Sequence, residues 1–582
     1  MLLPRLITLL LAFFTSKEFD FRAHYNKTEE KIPMRDGVRL FTAIYSPKDT
    51  SRTYPILLTR TPYDIAPYGL KDYGYIRSKF AQNGYILVLQ DVRGRFMSEG
   101  NFIDVRPITS DTDPKSIDDS TDTYDTVDWL VKNVPNNNGK VGLKGISYAG
   151  YYTSIGIINA HPALVAASPQ APMADLYGGD DAYHNGAFFL IANFSFYTSF
   201  NKQHNPQLPE KTKDFPYGTD DGYKFYLNNF NYQRLDNRYW ADIAAHTTYD
   251  DFWRARNILP HLKNIKPAIL VVGGWYDAED LSGALKTFRA VQAQSPDTSD
   301  QLVMGPWTHG AWARSELFRD EIEFPFFQHY LKNAPDPVLP KAYVFETGKN
   351  IWQKQQQWPP EGVVKRELYL RGGRQLSFEK PVEDTGFDQY ESDPGNPVPF
   401  FSKPTLEMAR EYMDADQRFV QNRPDVLTYQ TEPLQNDLTI AGPISPSLFV
   451  STTGTDSDFI VKLIDVAPEG YQQLVRGEPF RGKFRHSFEG PEPFQPNARE
   501  NIHFTMPDVY HCFRSGHRMM VQIQSSWFPL IDRNPQRFTD IPNAKPSDFI
   551  KATERIYRTN RFPSSLEVKV LPSTIMENQP WH

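Results

Sequence analysis

A serine at a sharp turn between a strand and a helix constrains the fold of this chain more than any other feature of its sequence. Residues 140–150 read KVGLKGISYAG, which is a short apolar run, a turn of small residues and the start of a helical pattern. The backbone of such a turn is strained, and small neighbours let the serine Oγ project clear of it. The pattern departs from strict G-x-S-x-G because Ala149 holds the last small position and Gly150 follows it. Ser147 is therefore the candidate nucleophile of an α/β fold.

Strand and helix patterns alternate on both sides of this turn. Before it, the apolar runs TYPILLTR and GYILVLQD precede the amphipathic segment TYDTVDWLVKN. The alternation resumes at PAILVVGGWYD and continues through the helical LSGALKTFRAVQA to the strand QLVMGPW. Apolar strands that alternate with helices indicate a mainly parallel sheet covered on both faces. We assign residues 36–155 and 266–338 to one α/β domain.

Three further segments differ from this pattern. Residues 156–265 are rich in Asn, Asp, Phe and Tyr without alternation, which indicates a mostly helical cap. Residues 339–582 contain short β segments separated by Gly, Pro and Asp, which favours a separate all-β domain of two packed antiparallel sheets. The polar residues 17–35 are expected to form an extended arm, and a frayed terminus is the alternative.

The first residues have the pattern of a leader. Residues 6–14 read LITLLLAFF and follow one basic side chain, Arg5. This run is too short to span a bilayer but fits the core of a signal peptide, although the region before a cut after Ser16 lacks the usual small residue three positions earlier. We expect residues 1–16 to be a signal peptide and the protein to be periplasmic or secreted. A frayed N-terminal helix is the alternative.

Charge and cysteine content exclude several classes of protein. Lys and Arg number 63 against 70 for Asp and Glu, a net charge of −7, so the basic footprint of a nucleic-acid-binding protein is missing. Cys512 is the one cysteine, so neither an intramolecular disulfide nor a multi-cysteine metal site can form. No run of 18 apolar residues follows the leader, so we expect no membrane association of the mature form.

An acid and then a histidine follow Ser147 along the chain, each shortly after a predicted strand. Asp277 comes after the strand AILVVGGW and His309 after the strand QLVMGPWT, with one helix between them. Serine hydrolases of the α/β type carry nucleophile, acid and histidine in this order, each in a loop after a strand. His309 would accept the Ser147 proton, and Asp277 would orient the imidazole and stabilise its cation.

Such a reaction also needs donors for the oxyanion. The backbone N–H of Tyr148, at the start of the helix after the nucleophile, is placed to be one donor. The second donor must come from the loop after an earlier strand, and Tyr63, in the loop that ends the segment ILLTRTPYD, is the candidate. A buried tyrosine with only a packing role is the alternative for Tyr63.

Five short motifs stand out along the chain. They are RTPYD at 60–64, QDVRGRFMSEG at 90–100, GISYAG at 145–150, WYDAED at 275–280 and GPWTHG at 305–310. Together they resemble a known group of serine hydrolases, the group that contains cocaine esterase, Xaa-Pro dipeptidyl peptidases and α-amino acid ester hydrolases. The resemblance covers nearly the whole chain. It implies an α/β-hydrolase domain with a helical cap and a C-terminal jelly roll, an oxyanion hole completed by the Tyr63 hydroxyl, and no metal or organic cofactor.

Within this group, segments such as GDDAYHNGAF at 178–187 are most similar to the α-amino acid ester hydrolases. That resemblance implies that Asp181, Glu279 and Asp280 receive the α-ammonium group of the substrate. Three neighbouring acids repel one another, and a cation placed among them relieves the repulsion. Without the resemblance, Glu279 and Asp280 would be interpreted as caps of the helix that begins near Leu281.

Aspartates are also concentrated before the helix that starts near residue 119. They could in principle hold Ca²⁺, but their spacing matches no recognised calcium loop, so we expect a solvated helix entrance and no metal site. These residues are Asp111, Asp113, Asp118, Asp119 and Asp122.

The sequence thus predicts a serine hydrolase or acyltransferase that cleaves esters and amides of α-amino acids with a free ammonium group. The resemblance implies β-lactam nuclei as acyl acceptors, hence synthesis or hydrolysis of β-lactam antibiotics, and a homo-oligomer, either a dimer or a tetramer. An Xaa-Pro-type dipeptidyl peptidase, a glutaryl acylase and a general esterase are alternatives on the same scaffold, although the three acids would repel a glutaryl group. A non-catalytic secreted binding protein is the alternative from another class.

Overall fold

The computed structural model describes residues 19–69, 79–109, 113, 115–200, 215–228, 235 and 237–572. The predicted signal peptide lies outside these residues and stays a prediction. Within the described part of the chain, no helix is long and apolar enough to cross a membrane.

A ten-stranded sheet forms the centre of the α/β domain. Its strand order is β1-β2-β4-β3-β5-β6-β9-β10-β11-β12, and the strands from β4 to β11 in this order pair in parallel, as predicted. The strands are β1 (Tyr25–Pro33), β2 (Arg39–Pro47), β3 (Tyr54–Thr61), β4 (Ile86–Asp91), β5 (Asn137–Ile146), β6 (Leu164–Gln170), β9 (Ala268–Gly274), β10 (Asp300–Gly305), β11 (Ala342–Glu346) and β12 (Ile351–Gln355).

Helices cover the sheet and build most of the inserted cap. They are α1 (Phe21–His24), α2 (Lys79–Gln82), α3 (Asp119–Asn133), α4 (Tyr148–Gly156), α5 (Leu190–Tyr197), α6 (Gly222–Asn228), α7 (Arg238–Ala245), α8 (Asp251–Arg254), α9 (Leu281–Gln294) and α10 (Phe324–Lys332). The cap holds α5 to α8 and a short hairpin of β7 (Tyr183–His184) and β8 (Ala187–Phe188). Asn185 and Gly186 turn this hairpin with φ angles of 45° and 82°, as a tight two-residue turn requires.

Three segments differ from the sequence-based assignment. Residues 25–33, expected in an extended arm, form β1 and pair with β2 in antiparallel fashion along their whole length. Strand β6 lies inside the predicted cap, yet it pairs with both β5 and β9 in the central sheet. Strands β11 and β12 continue the same sheet beyond residue 338. None of these strands is a long run of large apolar residues, so a search for such runs does not find them.

The C-terminal domain is all-β, with antiparallel strands throughout its two larger sheets. One sheet has β14-β13-β24-β17-β23-β15 with β20 and β21 also on β17, and the other has β16-β22-β18-β19. The strands are β13 (Val364–Leu370), β14 (Leu376–Ser377), β15 (Phe387–Ser392), β16 (Leu427–Gln430), β17 (Leu438–Thr452), β18 (Asp458–Val466), β19 (Gln472–Arg481), β20 (Glu500–His503), β21 (Met506–Phe513), β22 (Arg518–Gln524), β23 (Ala552–Tyr557) and β24 (Ser565–Leu571).

The α/β and β domains share a hydrophobic core. Val271 and Met304 of the central sheet belong to the same buried cluster as Ile464 and Trp527 of the C-terminal domain. Because apolar burial drives folding and this cluster crosses the domain boundary, each domain depends on the other for part of its stability.

Candidate active site

The serine turn lies between β5 and α4. Ser147 has φ 63° and ψ −129°, a strained backbone conformation for a residue with a side chain, and its N–H donates to the Gln170 carbonyl at 2.9 Å. A Cβ on Gly145 would lie 2.2 Å from the Ala149 carbonyl oxygen, and one on Gly150 would lie 2.5 Å from the Gln170 carbonyl oxygen. The small residues of the motif are therefore required by close backbone packing.

Asp277 and His309 follow the adjacent strands β9 and β10. His309 Nδ1 lies 3.0 Å from Asp277 Oδ2, and the Asp277 carboxylate is buried. The backbone N–H groups of Glu279 and Asp280 donate to Asp277 Oδ1 at 2.9 and 3.1 Å. Burial raises the pKa of Asp277, but the His309 charge and these hydrogen bonds outweigh burial and hold that pKa below its usual value. Asp277 is thus an ionised, fixed partner for the imidazole.

Gln170, the last residue of β6, connects the histidine loop to the serine turn. Its side-chain oxygen accepts from Trp312 Nε1 at 2.8 Å, while its carbonyl accepts from the Ser147 N–H. The position of a Cβ on Gly310, the residue after His309, lies 3.8 Å from Ile146 Cγ2. The structure therefore brings Ser147 and His309 to the same carboxyl edge of the sheet.

The free imidazole nitrogen of His309 faces a second carboxylate. Glu279 Oε2 lies 3.5 Å from His309 Nε2. Burial disfavours the imidazolium, but the charges of Asp277 and Glu279 and the hydrogen bond to Asp277 stabilise it and raise the His309 pKa to about 9. Without a substrate, the imidazole is therefore mostly protonated at neutral pH.

The Tyr148 N–H borders the serine turn, and Tyr63 borders the cleft. We use this word for the space between Tyr63, His309 and Glu279, whose charge acts on both of the other side chains. Helix α4 begins at Tyr148, and the Ser147 side chain makes no capping hydrogen bond, so the first N–H groups of α4 remain available. The Tyr148 hydroxyl itself donates to Asp104 Oδ1 at 3.0 Å and accepts from the Val105 N–H at 2.9 Å. Only the backbone of Tyr148 can therefore serve an oxyanion.

Tyr63 is not a buried packing residue. Its side chain is 40% exposed, and its ring meets Phe200 edge-on at 5.8 Å. Partial desolvation and the negative charges of Asp181 and Glu279 raise its pKa, so the hydroxyl keeps its proton. A neutral hydroxyl at the cleft can donate a hydrogen bond.

The three carboxylates predicted to bind an ammonium group surround His309 and the cleft. Asp181 lies two residues before β7, while Glu279 and Asp280 directly precede α9. Asp280 Oδ2 lies 3.8 Å from His309 Nδ1, and Asp280 Oδ1 is buried without a hydrogen-bond partner among the described residues. Although Asp280 stands at the N-cap position of α9, its side chain makes no capping hydrogen bond. The helix-cap interpretation therefore does not account for Asp280.

Burial and repulsion between neighbouring carboxylates raise the pKa values of Asp181 and Asp280. Burial, then the charge of Glu279, raises the pKa of Asp181 well above its ordinary value. Burial, then the charge of Asp181, does the same for Asp280. Asp181 and Asp280 thus have too little positive charge nearby to favour their ionised forms.

The chain matches known families along both domains. Residues 36–311 match the family described as X-Pro dipeptidyl-peptidase (S15 family), and residues 338–567 match the X-Pro dipeptidyl-peptidase C-terminal non-catalytic domain. A structure titled as an α-amino acid ester hydrolase labelled with selenomethionine is 36% identical with a TM-score of 0.88, covering 97% of this chain and 100% of that one. This chain belongs to the S15 family.

Two more relatives place this S15-family chain among hydrolases. A crystal structure of an aminopeptidase from the marine sediment archaeon Thaumarchaeota archaeon is 37% identical with a TM-score of 0.88, covering 94% of this chain and 97% of that one. Cocaine esterase from Rhodococcus sp. (strain MB1 Bresler) is 28% identical over 580 residues, covering 93% of this chain and 97% of its own. The S15-family chain is a serine hydrolase that acts on esters, and the resemblance noted in the sequence is confirmed.

The structure adds residues that the sequence reasoning missed. Arg410 of the C-terminal domain forms an ion pair with Glu279 at 2.7 Å. Asn193 of α5 donates to the Asp181 carbonyl at 2.5 Å. Arg95 donates to the Pro62 carbonyl next to Tyr63 at 2.8 Å. Arg95 lies inside the motif QDVRGRFMSEG, which offered a signal, whereas no short motif surrounds Arg410 or Asn193.

The acid-rich stretch at the start of α3 is not the solvated helix entrance that the sequence predicted, because Asp118, Asp119 and Asp122 are buried. Asp118 caps α3 by accepting from the Ser120 and Thr121 N–H groups, and Asp122 pairs with Arg93 at 2.6 Å. Asp111 lies outside the described residues. Among the residues that the structure describes, no group of three or more His, Cys, Asp or Glu side chains is arranged to hold a metal ion.

Proposed function

We propose that this S15-family hydrolase acylates Ser147 with α-amino acids whose ammonium group is free. The observation that carries the proposal is the buried carboxylate of Asp280, which has an unpartnered oxygen and lies next to His309. A buried polar atom without a partner is costly, so such an atom at a cleft suggests a ligand that supplies the missing contact. The aminopeptidase and the α-amino acid ester hydrolase titles are consistent with that ligand.

The chemistry follows from the arrangement of the groups. Neutral His309 takes the proton of Ser147 Oγ as Oγ attacks the carbonyl carbon, and Asp277 stabilises the imidazolium. The Tyr148 N–H and the Tyr63 hydroxyl donate to the oxyanion. His309 then protonates the leaving alcohol or amine, and water or a second amine releases the acyl group. We propose that the amines that accept the acyl group include β-lactam nuclei.

The carboxylates explain the choice of acyl group. A substrate ammonium among Asp181, Glu279 and Asp280 would favour the ionised forms of Asp181 and Asp280 and reduce the repulsion among the three acids. A glutaryl group would add a further anion and be repelled. A dipeptidyl peptidase that grips a free N-terminus is the second candidate, because the same three acids could receive that N-terminal ammonium and the matching family is described as X-Pro dipeptidyl-peptidase.

The test compares initial rates on phenylglycine methyl ester and on its N-acetylated counterpart. Ser147→Ala provides the blank, Asp181→Asn removes one acid of the cluster, and Asp175→Asn is the control. Asp175 lies in the same segment but accepts from the Gly178 N–H and from Asn257.

We expect the wild type to prefer the free amine by about tenfold or more in kcat/KM, which is about 1.4 kcal/mol. Asp181→Asn should remove most of this preference and Asp175→Asn should keep it. Equal rates on both esters in the wild type would contradict the proposal and favour a general esterase.

A further inference from the structure

Arg410 is a positive side chain that the C-terminal domain contributes to the active site. It begins the short 3₁₀ helix Arg410–Asp414, and its Nη2 lies 2.7 Å from Glu279 Oε1. The Arg410 side chain is 47% exposed and that of Glu279 is 24% exposed. The pair therefore lies at the surface of the cleft and not inside the core.

The Arg410–Glu279 pair lies beside the catalytic histidine. Glu279 Oε2 lies 3.5 Å from His309 Nε2, the nitrogen that exchanges protons with Ser147 and the leaving group. A cation that pairs with the other oxygen of Glu279 therefore lies close enough to His309 for its charge to act on the imidazole. Arg410 is that cation.

The charge of Arg410 is unfavourable for a substrate with an ammonium group alone. It pairs with one of the acids that would hold the ammonium, so the two cations compete for Glu279. A substrate that also carries an anion near Arg410 would turn this repulsion into attraction. A guanidinium has five N–H donors, so Arg410 can contact Glu279 through Nη2 and still bind a carboxylate.

We infer that Arg410 binds a carboxylate on the leaving group, so that free dipeptides are the preferred amide substrates of the enzyme. This inference rests on the proposed function, because the ammonium end of the dipeptide occupies the carboxylate cluster. Two extended residues span about 7 Å. A dipeptide is therefore short enough to place its ammonium in the carboxylate cluster and its carboxylate on Arg410, because Arg410 pairs with Glu279 of that cluster.

The reaction balances with the groups already named. Ser147 Oγ bonds to the carbonyl carbon of the first residue, the peptide C–N bond breaks, and the Ser147 proton passes through His309 to the nitrogen of the leaving amino acid. Water then hydrolyses the acyl-enzyme and restores the Ser147 proton. In the reverse direction, the same Arg410 contact favours accepting amines that carry a carboxylate.

The experiment compares kcat/KM for alanyl-phenylalanine and for its C-terminal amide. It uses the wild type, Arg410→Gln, Arg410→Lys and the control Arg418→Gln. Arg418 is 50% exposed and pairs with Asp416 in the same segment. Alanine methyl ester and its N-acetyl derivative are measured with each variant, which tests the ammonium preference and the folding of each variant separately.

We expect the wild type and Arg418→Gln to prefer the free carboxylate by about tenfold or more. Arg410→Gln should bring this ratio close to one without removing the ammonium preference, and Arg410→Lys should retain part of the ratio. A wild-type ratio near one, or an unchanged ratio in Arg410→Gln, would overturn the role of Arg410. Loss of the ammonium preference on the esters would instead contradict the proposed function.

Discussion

His309 is the residue at which the charges of the site meet. Asp277 contacts its Nδ1, Glu279 lies 3.5 Å from its Nε2, and Arg410 stands behind Glu279. The first two raise its pKa to about 9 despite burial, whereas Arg410 lowers it. A general base must be neutral to accept a proton, so the free enzyme should gain activity as the pH rises toward 9.

Glu279→Gln tests this charge balance. The substitution removes a negative charge that favours the imidazolium, so the His309 pKa should fall below about 9. The acid limb of kcat/KM against pH should then move to lower pH. The profile is measured with an N-acetylated ester, because that substrate has no ammonium that titrates.

Glu411→Gln is the matched control for this profile, because Glu411 is an exposed acid in the same 3₁₀ helix as Arg410. Its acid limb should coincide with that of the wild type. An unchanged limb in Glu279→Gln would show that Glu279 does not influence His309.

At the scale of elements, the loop after β3 is held in place by a buried arginine. Arg95 Nε donates to the Pro62 carbonyl, and its guanidinium lies 4.8 Å from the centre of the Phe200 ring, which packs against Tyr63. The loop therefore presents Tyr63 at a fixed place. Arg95 is a positioning residue for the candidate oxyanion donor.

A double-mutant cycle tests this positioning. Tyr63→Phe removes one oxyanion donor and should lower kcat by about 10²–10³-fold, or about 3–4 kcal/mol. Arg95→Lys should also lower kcat more than it changes KM. If Arg95 acts through Tyr63, then Arg95→Lys should have little further effect in the Tyr63→Phe background. Fully additive effects would contradict the role of Arg95.

Sequence patterns predicted the long buried strands of the sheet and the order of the residues that follow them. Asp277 and His309 could be found because each lies in a loop a few residues after an apolar strand. Strand β6 escaped detection because its residues, LVAASPQ, include a proline and few large apolar side chains. Arg410 could not be found because it reaches the site through the packing of two domains, which no local pattern encodes.

At the scale of the whole molecule, the C-terminal domain supports the catalytic loop as well as the common core. Arg476 of β19 is buried, and its Nη2 donates to the Trp275 carbonyl at 3.2 Å and to the Asp508 carbonyl at 3.1 Å. Trp275 lies two residues before Asp277, so this contact helps to fix the acid. The Trp275 ring also meets the Trp358 ring at 5.6 Å.

Calorimetry tests the dependence of the domains on each other. Because the buried cluster crosses the boundary, the full chain should unfold in one cooperative transition. A fragment that ends at residue 355, after the last strand of the sheet, should bind a hydrophobic dye and show no sharp transition. Two separate transitions, or a fragment with normal cooperative unfolding, would contradict a shared core.

The central claim is that the carboxylate cluster binds a free ammonium group, and binding to the inactive Ser147→Ala enzyme tests it most directly. Isothermal titration with phenylglycine methyl ester and with its N-acetyl derivative, in buffers of different ionisation enthalpy, gives both affinity and proton release. The pKa values of Asp181 and Asp280 are raised in the free enzyme, and a bound cation lowers them.

We expect the free amine to bind about tenfold or more tightly, with release of protons, and its affinity to rise with pH until the ammonium of the ester itself loses its proton. Equal affinities for the two esters, without proton release, would contradict the account.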